Sequence, residues 1–139
     1  MSMYNYNLFL DDFRLPQDAF HYTKDTVFSL LDWEIVRSHE EFVNFIERNY
    51  SEGKFPSLVA FDHDLDDAHY EHTSGEIPYE EMTEKTGMHS AKWIVDFCID
   101  NDLVLPDYKV HSQNPAGAAN IKGLLDNFKK HQKNDLDSI

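Results

Sequence analysis

Two of the most apolar segments of the chain are each followed directly by aspartates. Asp11 and Asp12 come after the first of these segments, and Asp62 and Asp64 come after another. Carboxylates brought close together raise one another's pKa unless a cation lies among them. Hard divalent cations such as Mg²⁺ and Mn²⁺ prefer oxygen ligands. We therefore expect Asp11, Asp12 and Asp62 to hold Mg²⁺ or Mn²⁺ if the fold brings the two segments together.

Either pair of aspartates also has a purely structural explanation. Aspartate at the end of a strand commonly caps a helix or begins a turn. For one pair alone this explanation is as good as metal binding, whereas two pairs at one place favour the metal.

Two further segments carry groups that could act on a phosphate. His89 lies in the first turn of a predicted helix, where it could face an anion held by backbone N–H groups. His111 and Ser112 precede Asn114-Pro115-Ala116-Gly117, whose small residues would let a phosphate approach the backbone. The structural alternative is that small residues serve helix packing and that His89 is an ordinary exposed residue.

Basic residues are scarce near these candidate groups. Arg14 and Lys92 are the ones that lie close to them in sequence, and either could bind a phosphate or offset the acidic cluster. The substrate-binding set that we predict is Arg14, Ser112, Asn114 and Gly117.

Short apolar runs and amphipathic segments alternate along the chain. Four runs rich in aliphatic and aromatic residues are typical of strands, and two of them are apolar on both faces, as buried parallel strands are. The predicted strands are residues 7–10, 33–36, 58–61 and 108–112.

Three segments have the apolar spacing of helices. The first begins at Ser38-His39-Glu40-Glu41, a capping-box pattern, and the last follows Asn114-Pro115. The middle one begins near Thr86 or Gly87 and ends before Pro106. In residues 13–32 we expect a loop at Pro16 and a short helix within residues 25–31.

This alternation predicts an α/β fold with helices on both faces of a mostly parallel sheet. The expected strand order is 2-1-3-4, as in flavodoxin-like folds, which makes strands 1 and 3 neighbours. Ligands of such sheets bind beyond the carboxyl ends of the strands, where the order reverses. The two groups of aspartates would then lie in one crevice.

Length and composition limit the class of protein. A chain of 139 residues and 16.3 kDa predicts one domain over residues 1–139. Twelve Lys and Arg against 26 Asp and Glu, a formal net charge of −14, argue against binding to long nucleic acid or to a membrane surface. No signal-peptide pattern or membrane-spanning run is present, and Cys98 is the single cysteine, so we expect a cytoplasmic protein.

The aspartates resemble those of response-regulator receiver domains. Asp11 and Asp12 are similar to the pair that holds Mg²⁺ there, and Asp62 to the aspartate that accepts a phosphoryl group. The sequence departs from ordinary receivers, because after the last predicted helix we find no run that has the pattern of a fifth strand with a lysine. The residues that follow Asp62 also differ in spacing from those of ordinary receivers.

The closer resemblance is to the receiver-like family predicted to process cyclic phosphates. The similar segments extend over most of the chain, and their joint presence is fairly specific. They are Leu10–Pro16 (LDDFRLP), Phe61–Leu65 (FDHDL), Thr86–Ala91 (TGMHSA) and His111–Gly117 (HSQNPAG), with Asn120-Ile121 following.

This resemblance implies a flavodoxin- or receiver-like three-layer sandwich and a metal-dependent phosphoesterase. The substrates implied are 2′,3′-cyclic nucleotides or RNA ends, in the context of RNA repair in phage and bacteria. Its hydrolytic site would comprise Asp11, Asp12, Asp62, His63, Asp64, His89, His111 and Asn114. In such a site His63 or Asp64 would orient or deprotonate a metal-bound water, and His89 or His111 would protonate the leaving oxygen.

Two other classes of function remain open at this point. The chain could be a receiver-like signalling or binding module without turnover, or an acidic inhibitor whose surface mimics nucleic acid. For the enzyme, the charge of −14 favours a small nucleotide or a single RNA terminus over a long duplex.

Overall fold

Four parallel strands form one sheet in the part of the chain that the structure describes. The structure, a computed structural model, describes residues 3–62, 87–112 and 115–137, with side chains as far as residue 132. The strands are β1 (Tyr4–Leu10), β2 (Glu34–Val36), β3 (Phe55–Phe61) and β4 (Asp107–Val110). The helices of the described residues are α1 (Pro16–Thr23), α2 (Val27–Leu30), α3 (His39–Ser51), α4 (Gly87–Asn101) and α5 (Pro115–Asp137). Among these helices, none is both long enough and apolar enough to span a bilayer.

The strand order is β2-β1-β3-β4, and every neighbouring pair is parallel. This order confirms the predicted 2-1-3-4 arrangement and the receiver-like α/β fold. Leu10, the last residue of β1, is level with Val36 on one side and Phe61 on the other. The Asp11 N–H donates to the Val36 carbonyl at 3.1 Å, and the Asp62 N–H donates to the Leu10 carbonyl at 3.0 Å. Asp11 and Asp62 therefore leave the sheet side by side, at the edge that we call the carboxyl edge.

Side chains of the sheet alternate between two hydrophobic clusters. Leu8 and Leu10 belong to the larger cluster, to which α3, α4 and α5 contribute, whereas Phe9 belongs to a smaller cluster with residues of α1 and α2. The same alternation places Val59 in the larger cluster and Ala60 in the smaller one. β1 and β3 are thus buried on both faces, which explains why their sequences are apolar without alternation.

Ser38 caps α3, as the sequence predicts. Its hydroxyl oxygen accepts a hydrogen bond from the Glu41 N–H at 3.1 Å. The Glu41 carboxylate accepts from the Arg37 N–H at 3.0 Å, one residue earlier than in the usual capping box. These two backbone N–H groups have acceptors at the start of α3, which stabilises a helix that begins three residues after the end of β2.

The prediction that Pro16 lies in a loop is wrong, because α1 begins at this residue. Proline suits the first position of a helix, since its φ is already helical and its missing N–H would have no partner there. The Asp18 carboxylate accepts a hydrogen bond from the Leu15 N–H at 2.8 Å and fixes the same turn. The short helix expected within residues 25–31 is α2.

Cys98 is buried in the larger cluster, on the apolar face of α4. Burial raises the pKa of its thiol to about 12. The thiol is therefore protonated and unreactive at neutral pH, as a structural cysteine should be.

We expect Ser38→Ala to lower the free energy of unfolding by about 1 kcal/mol, because an N–H of the first turn of α3 loses its acceptor. Ser51→Ala, at the other end of the same helix, is the matched control. Ser51 is exposed, and its replacement should change the free energy by less than about 0.5 kcal/mol. Urea unfolding followed by circular dichroism measures both values, and equal effects would contradict the capping role.

Candidate metal and phosphate site

Three carboxylates meet at the carboxyl edge of the sheet, where β1 and β3 end. Asp11 is 0% exposed and Asp62 is 2% exposed, while Asp12 is half-buried. One oxygen from each of the three lies within 4.8 Å of the others. The structure thus brings together the three residues that the sequence predicts as metal ligands.

Hydrogen bonds fix the orientation of the Asp11 carboxylate. Its Oδ1 accepts from the backbone N–H groups of Phe13 at 3.1 Å and Arg14 at 3.0 Å. Its Oδ2 lies 3.1 Å from Nε2 of His111. Burial opposes ionisation of Asp11, but these hydrogen bonds, that of His111 above all, hold its pKa below the usual value. Asp11 is therefore ionised at neutral pH.

His111 lies behind Asp11 and is only 1% exposed. Its ring stacks on Phe9 with centroids 4.4 Å apart and meets the Phe28 ring edge-on at 5.7 Å. Burial lowers the pKa of His111, although the neighbouring Asp11 opposes this. A neutral ring that donates from Nε2 fits the contact, because an ionised carboxylate only accepts hydrogen bonds. His111 is in this way a donor to Asp11 that is shielded from solvent.

The guanidinium of Arg14 faces two of the carboxylates. Its Nη1 lies 3.7 Å from Oδ2 of Asp11 and 3.7 Å from Oδ2 of Asp62. The same group lies over the rings of Phe13, at 4.7 Å, and Tyr22, at 5.4 Å. Arg14 therefore offsets part of the negative charge of the cluster.

That offset is incomplete, as the pKa of Asp62 shows. Burial and then the charge of Asp11 raise the pKa of Asp62 to about 7, against the opposing effects of Arg14 and of a hydrogen bond from Ser112. Asp62 is therefore only partly ionised at neutral pH, and its full ionisation would need positive charge in addition to that of Arg14. Because the donors are all oxygens and the missing charge is positive, the site fits a hard divalent cation such as Mg²⁺ or Mn²⁺.

Two residues that the sequence analysis missed hold the turns around the cluster. Nη1 of Arg37 donates to the carbonyl of Asp11 at 3.2 Å and to that of Arg14 at 2.6 Å. The Tyr22 hydroxyl donates to the carbonyl of His111. Neither residue belongs to a recognisable motif, since each acts on backbone atoms far away in sequence.

A second group of polar side chains lies between the first turns of α3 and α4. His89 is exposed, and its ring centroid lies 6.4 Å from that of His39. Nδ1 of His39 lies 2.8 Å from the hydroxyl oxygen of Ser90. His39 and Ser90 are not among the site residues predicted from the sequence, because a helix start fully accounts for the segment that contains His39.

The remaining predicted site residues divide into two groups. Ser112 contacts Asp62 through the hydrogen bond noted above, and Gly117 is buried in the first turn of α5. His63, Asp64 and Asn114 lie outside the described residues.

In metal-free buffer, we expect Asp62→Asn to stabilise the fold more at pH 8 than at pH 5. The pKa of Asp62 is about 7 in the folded protein, whereas the ordinary pKa of an aspartate, which applies in the unfolded chain, is 3.8. The unfolded state therefore loses this proton first as pH rises, so the wild-type free energy of unfolding falls across that range. Each pKa unit corresponds to about 1.4 kcal/mol, so the penalty that the variant removes amounts to several kcal/mol.

Urea unfolding at the two pH values measures this difference. Asp96→Asn, which replaces an exposed aspartate of α4, is the control and should show equal small changes at both. If Asp62→Asn raised the free energy of unfolding by the same amount at both pH values, the role assigned to the buried carboxyl would be contradicted.

Comparison with known proteins places the chain in a family. Neither the curated proteins nor the solved structures give a match to it. A family model described as the cyclic-phosphate processing receiver domain matches residues 6–127. That range contains the carboxylate cluster together with His39, His89 and His111. This chain therefore belongs to the family of cyclic-phosphate processing receiver domains.

Proposed function

We propose that the chain is a metal-dependent phosphoesterase that hydrolyses cyclic phosphates, in 2′,3′-cyclic nucleotides or at RNA ends. The observation that carries this proposal is the cluster of Asp11, Asp12 and Asp62 within 4.8 Å at the switch point of a parallel sheet. The family supports the class of substrate. The site of a hydrolase needs a bound cation, a group for the phosphate and a proton donor, and each has a candidate in this chain.

The cation would be held by the three aspartates, with Mg²⁺ or Mn²⁺ as the proposed ion. Bound there, it would polarise a phosphoryl oxygen and lower the pKa of a bound water. Asp11 is pre-oriented for this task by its hydrogen bonds from His111, Phe13 and Arg14. Asp62 would give up its proton to the solvent when the cation binds.

Arg14 is the proposed ligand of the phosphate. Its guanidinium lies at the cluster and over the rings of Phe13 and Tyr22, and its side chain is 20% exposed. A guanidinium offers paired donors that match phosphoryl oxygens. Ser112, Asn114 and the backbone at residues 115–117 would stabilise the charge that develops on those oxygens.

His89 is the proposed proton donor to the leaving 2′ or 3′ oxygen. It is exposed in the first turn of α4, whereas His111 is buried and engaged with Asp11. Histidine suits this task because its ordinary pKa lies near neutrality. His63 and Asp64, which follow Asp62 directly in sequence, are proposed to orient the attacking water.

The charge of the chain limits the substrate. With a formal net charge of −14, affinity for a polyanion has to come from the cation and from a few local donors such as Arg14. A small cyclic nucleotide or one RNA terminus meets this condition, because only the reacting phosphate needs to enter the site.

The direct test is hydrolysis of a 2′,3′-cyclic nucleotide with Mg²⁺ or Mn²⁺, with and without chelator. We expect turnover that the chelator abolishes. Loss of a residue that only supports a metal ligand weakens metal binding roughly 10- to 100-fold. Asp12 is itself a proposed ligand, so Asp12→Asn should weaken metal binding by at least that factor. His89→Ala should lower kcat by about 100-fold or more, and Asp96→Asn should match wild type.

Three other outcomes would contradict the proposal. Equal background rates for wild type, Asp62→Asn and His89→Ala in every metal would exclude the hydrolase. Stable phosphate on Asp62 after treatment with a small phosphodonor would favour a receiver module instead. Blockade of a partner that survives alanine at Asp11, Asp62 and His89 would favour an acidic inhibitor.

Arg14→Gln should strengthen Mn²⁺ binding and raise KM. It removes a positive charge 3.7 Å from two ligand oxygens and also the proposed phosphate ligand. We expect a change of roughly tenfold in each constant, equivalent to about 1.4 kcal/mol. Arg48→Gln, at an exposed arginine in the last turn of α3, is the matched control. Calorimetric titration measures Mn²⁺ binding, and weaker binding in Arg14→Gln would contradict the competition between guanidinium and metal.

A further inference from the structure

Aromatic contacts join α3 to α4 along their length. The rings of Tyr50 and Phe97 lie 5.1 Å apart, and those of Phe42 and Trp93 lie 6.0 Å apart. The two helices run in the same direction, since their first turns meet at His39 and Ser90 and their later turns meet at Tyr50 and Phe97. At their first turns the aromatic pairs give way to polar side chains, those of His39, His89 and Ser90.

Ser90 fixes the ring of His39. The hydroxyl oxygen of Ser90 lies 2.8 Å from Nδ1 of His39, and Ser90 is 0% exposed. A buried partner of this kind holds the imidazole in one orientation. Because Nδ1 is engaged with Ser90, any action of His39 on a substrate goes through Nε2. His39 itself is half-buried, and His89 beside it is exposed.

Both histidines lie at the same edge of the sheet as the carboxylates. His39 follows Val36, the residue whose carbonyl accepts from the Asp11 N–H, by three positions, a chain reach of about 11 Å at most. The Arg37 side chain bonds this turn to the Asp11 carbonyl at 3.2 Å. α4 leads into β4, which begins at the opposite edge, so His89 in its first turn is at the carboxyl edge too.

The spacing of the two rings suits groups on either side of a phosphate. Their centroids are 6.4 Å apart and their planes make an angle of 66°. In an in-line displacement the attacking and leaving oxygens lie on opposite sides of phosphorus. An acid and a base must each come within about 2.6–3.2 Å of its own oxygen. Two histidines separated in this way could serve both oxygens at once.

Building on the proposed function, we infer that His39 is a second catalytic histidine that acts with His89 as an acid–base pair. Nε2 of His39 takes a proton from the attacking water while the water oxygen bonds to phosphorus. The bond from phosphorus to the 2′ or 3′ oxygen breaks, and His89 gives its proton to that oxygen. The product is a phosphate monoester beside a free hydroxyl, and both histidines recover their starting states by exchange with solvent. Ser90 is the positioning residue of His39.

His39→Asn is the decisive variant. The Asn side chain keeps a polar group near the Nδ1 position for Ser90, but it has no nitrogen that corresponds to Nε2. We expect kcat for the 2′,3′-cyclic nucleotide to fall by about 100-fold or more, with KM and the melting temperature near wild type. A purely structural role for His39 predicts wild-type kcat in this variant.

Two further variants and one control complete the experiment. His39→Ala should regain part of its activity when free imidazole is added, and Ser90→Ala should lower kcat by less than His39→Asn does. His131→Ala is the control, because His131 is exposed on α5 about 24 Å along the helix from Pro115. It should keep wild-type kcat and show no response to imidazole.

The outcomes separate this inference from the proposed function. Loss of kcat in His39→Asn with imidazole rescue of His39→Ala supports the histidine pair. Wild-type kcat in His39→Asn, with activity still lost in His89→Ala, overturns the pair and leaves the phosphoesterase in place. Absence of metal-dependent turnover in the wild-type protein overturns both.

Discussion

The burial of Asp11 and Asp62 side by side, with the repulsion between their charges, is the constraint around which the carboxyl edge is organised. Parallel strands that end level bury the two carboxylates side by side, where charges interact more strongly than in water. Hydrogen bonds keep Asp11 ionised, and the guanidinium of Arg14 lies close to both carboxylates. Asp62 keeps its proton up to about pH 7. The proposed cation is the partner that would replace that proton.

The sheet was largely predictable because its central strands are buried on both faces. Continuous apolar runs marked residues 7–10 and 58–61, and the structure extends both strands by three residues toward their beginnings. The added residues escaped the pattern because they include polar side chains and Pro56, which lacks an N–H. The register between β1 and β3 is irregular at Pro56. The helix that begins at Pro16 was not predicted, because proline both interrupts helices and begins them.

The candidate site could be predicted only for residues whose position next to a strand or helix is evident from the local sequence. The aspartates follow their strands directly, so the strand order alone brings Asp11 and Asp62 together. Contacts between distant residues left no local trace: His39 and Ser90 are 51 positions apart, and Tyr22 and His111 are 89 apart. Packing of α3 against α4 and of α1 against the sheet creates these contacts. They follow from the three-dimensional arrangement and from no single segment.

The side chains of Arg37 and Tyr22 donate hydrogen bonds to backbone carbonyls, those of Asp11, Arg14 and His111. Every residue type has the same backbone carbonyl, so these hydrogen bonds hold the loops in place whatever side chains the loops carry. The scaffold of the crevice is in this sense separable from its chemistry. Substitution of the reactive side chains on these loops would therefore leave the hydrogen bonds from Arg37 and Tyr22 in place.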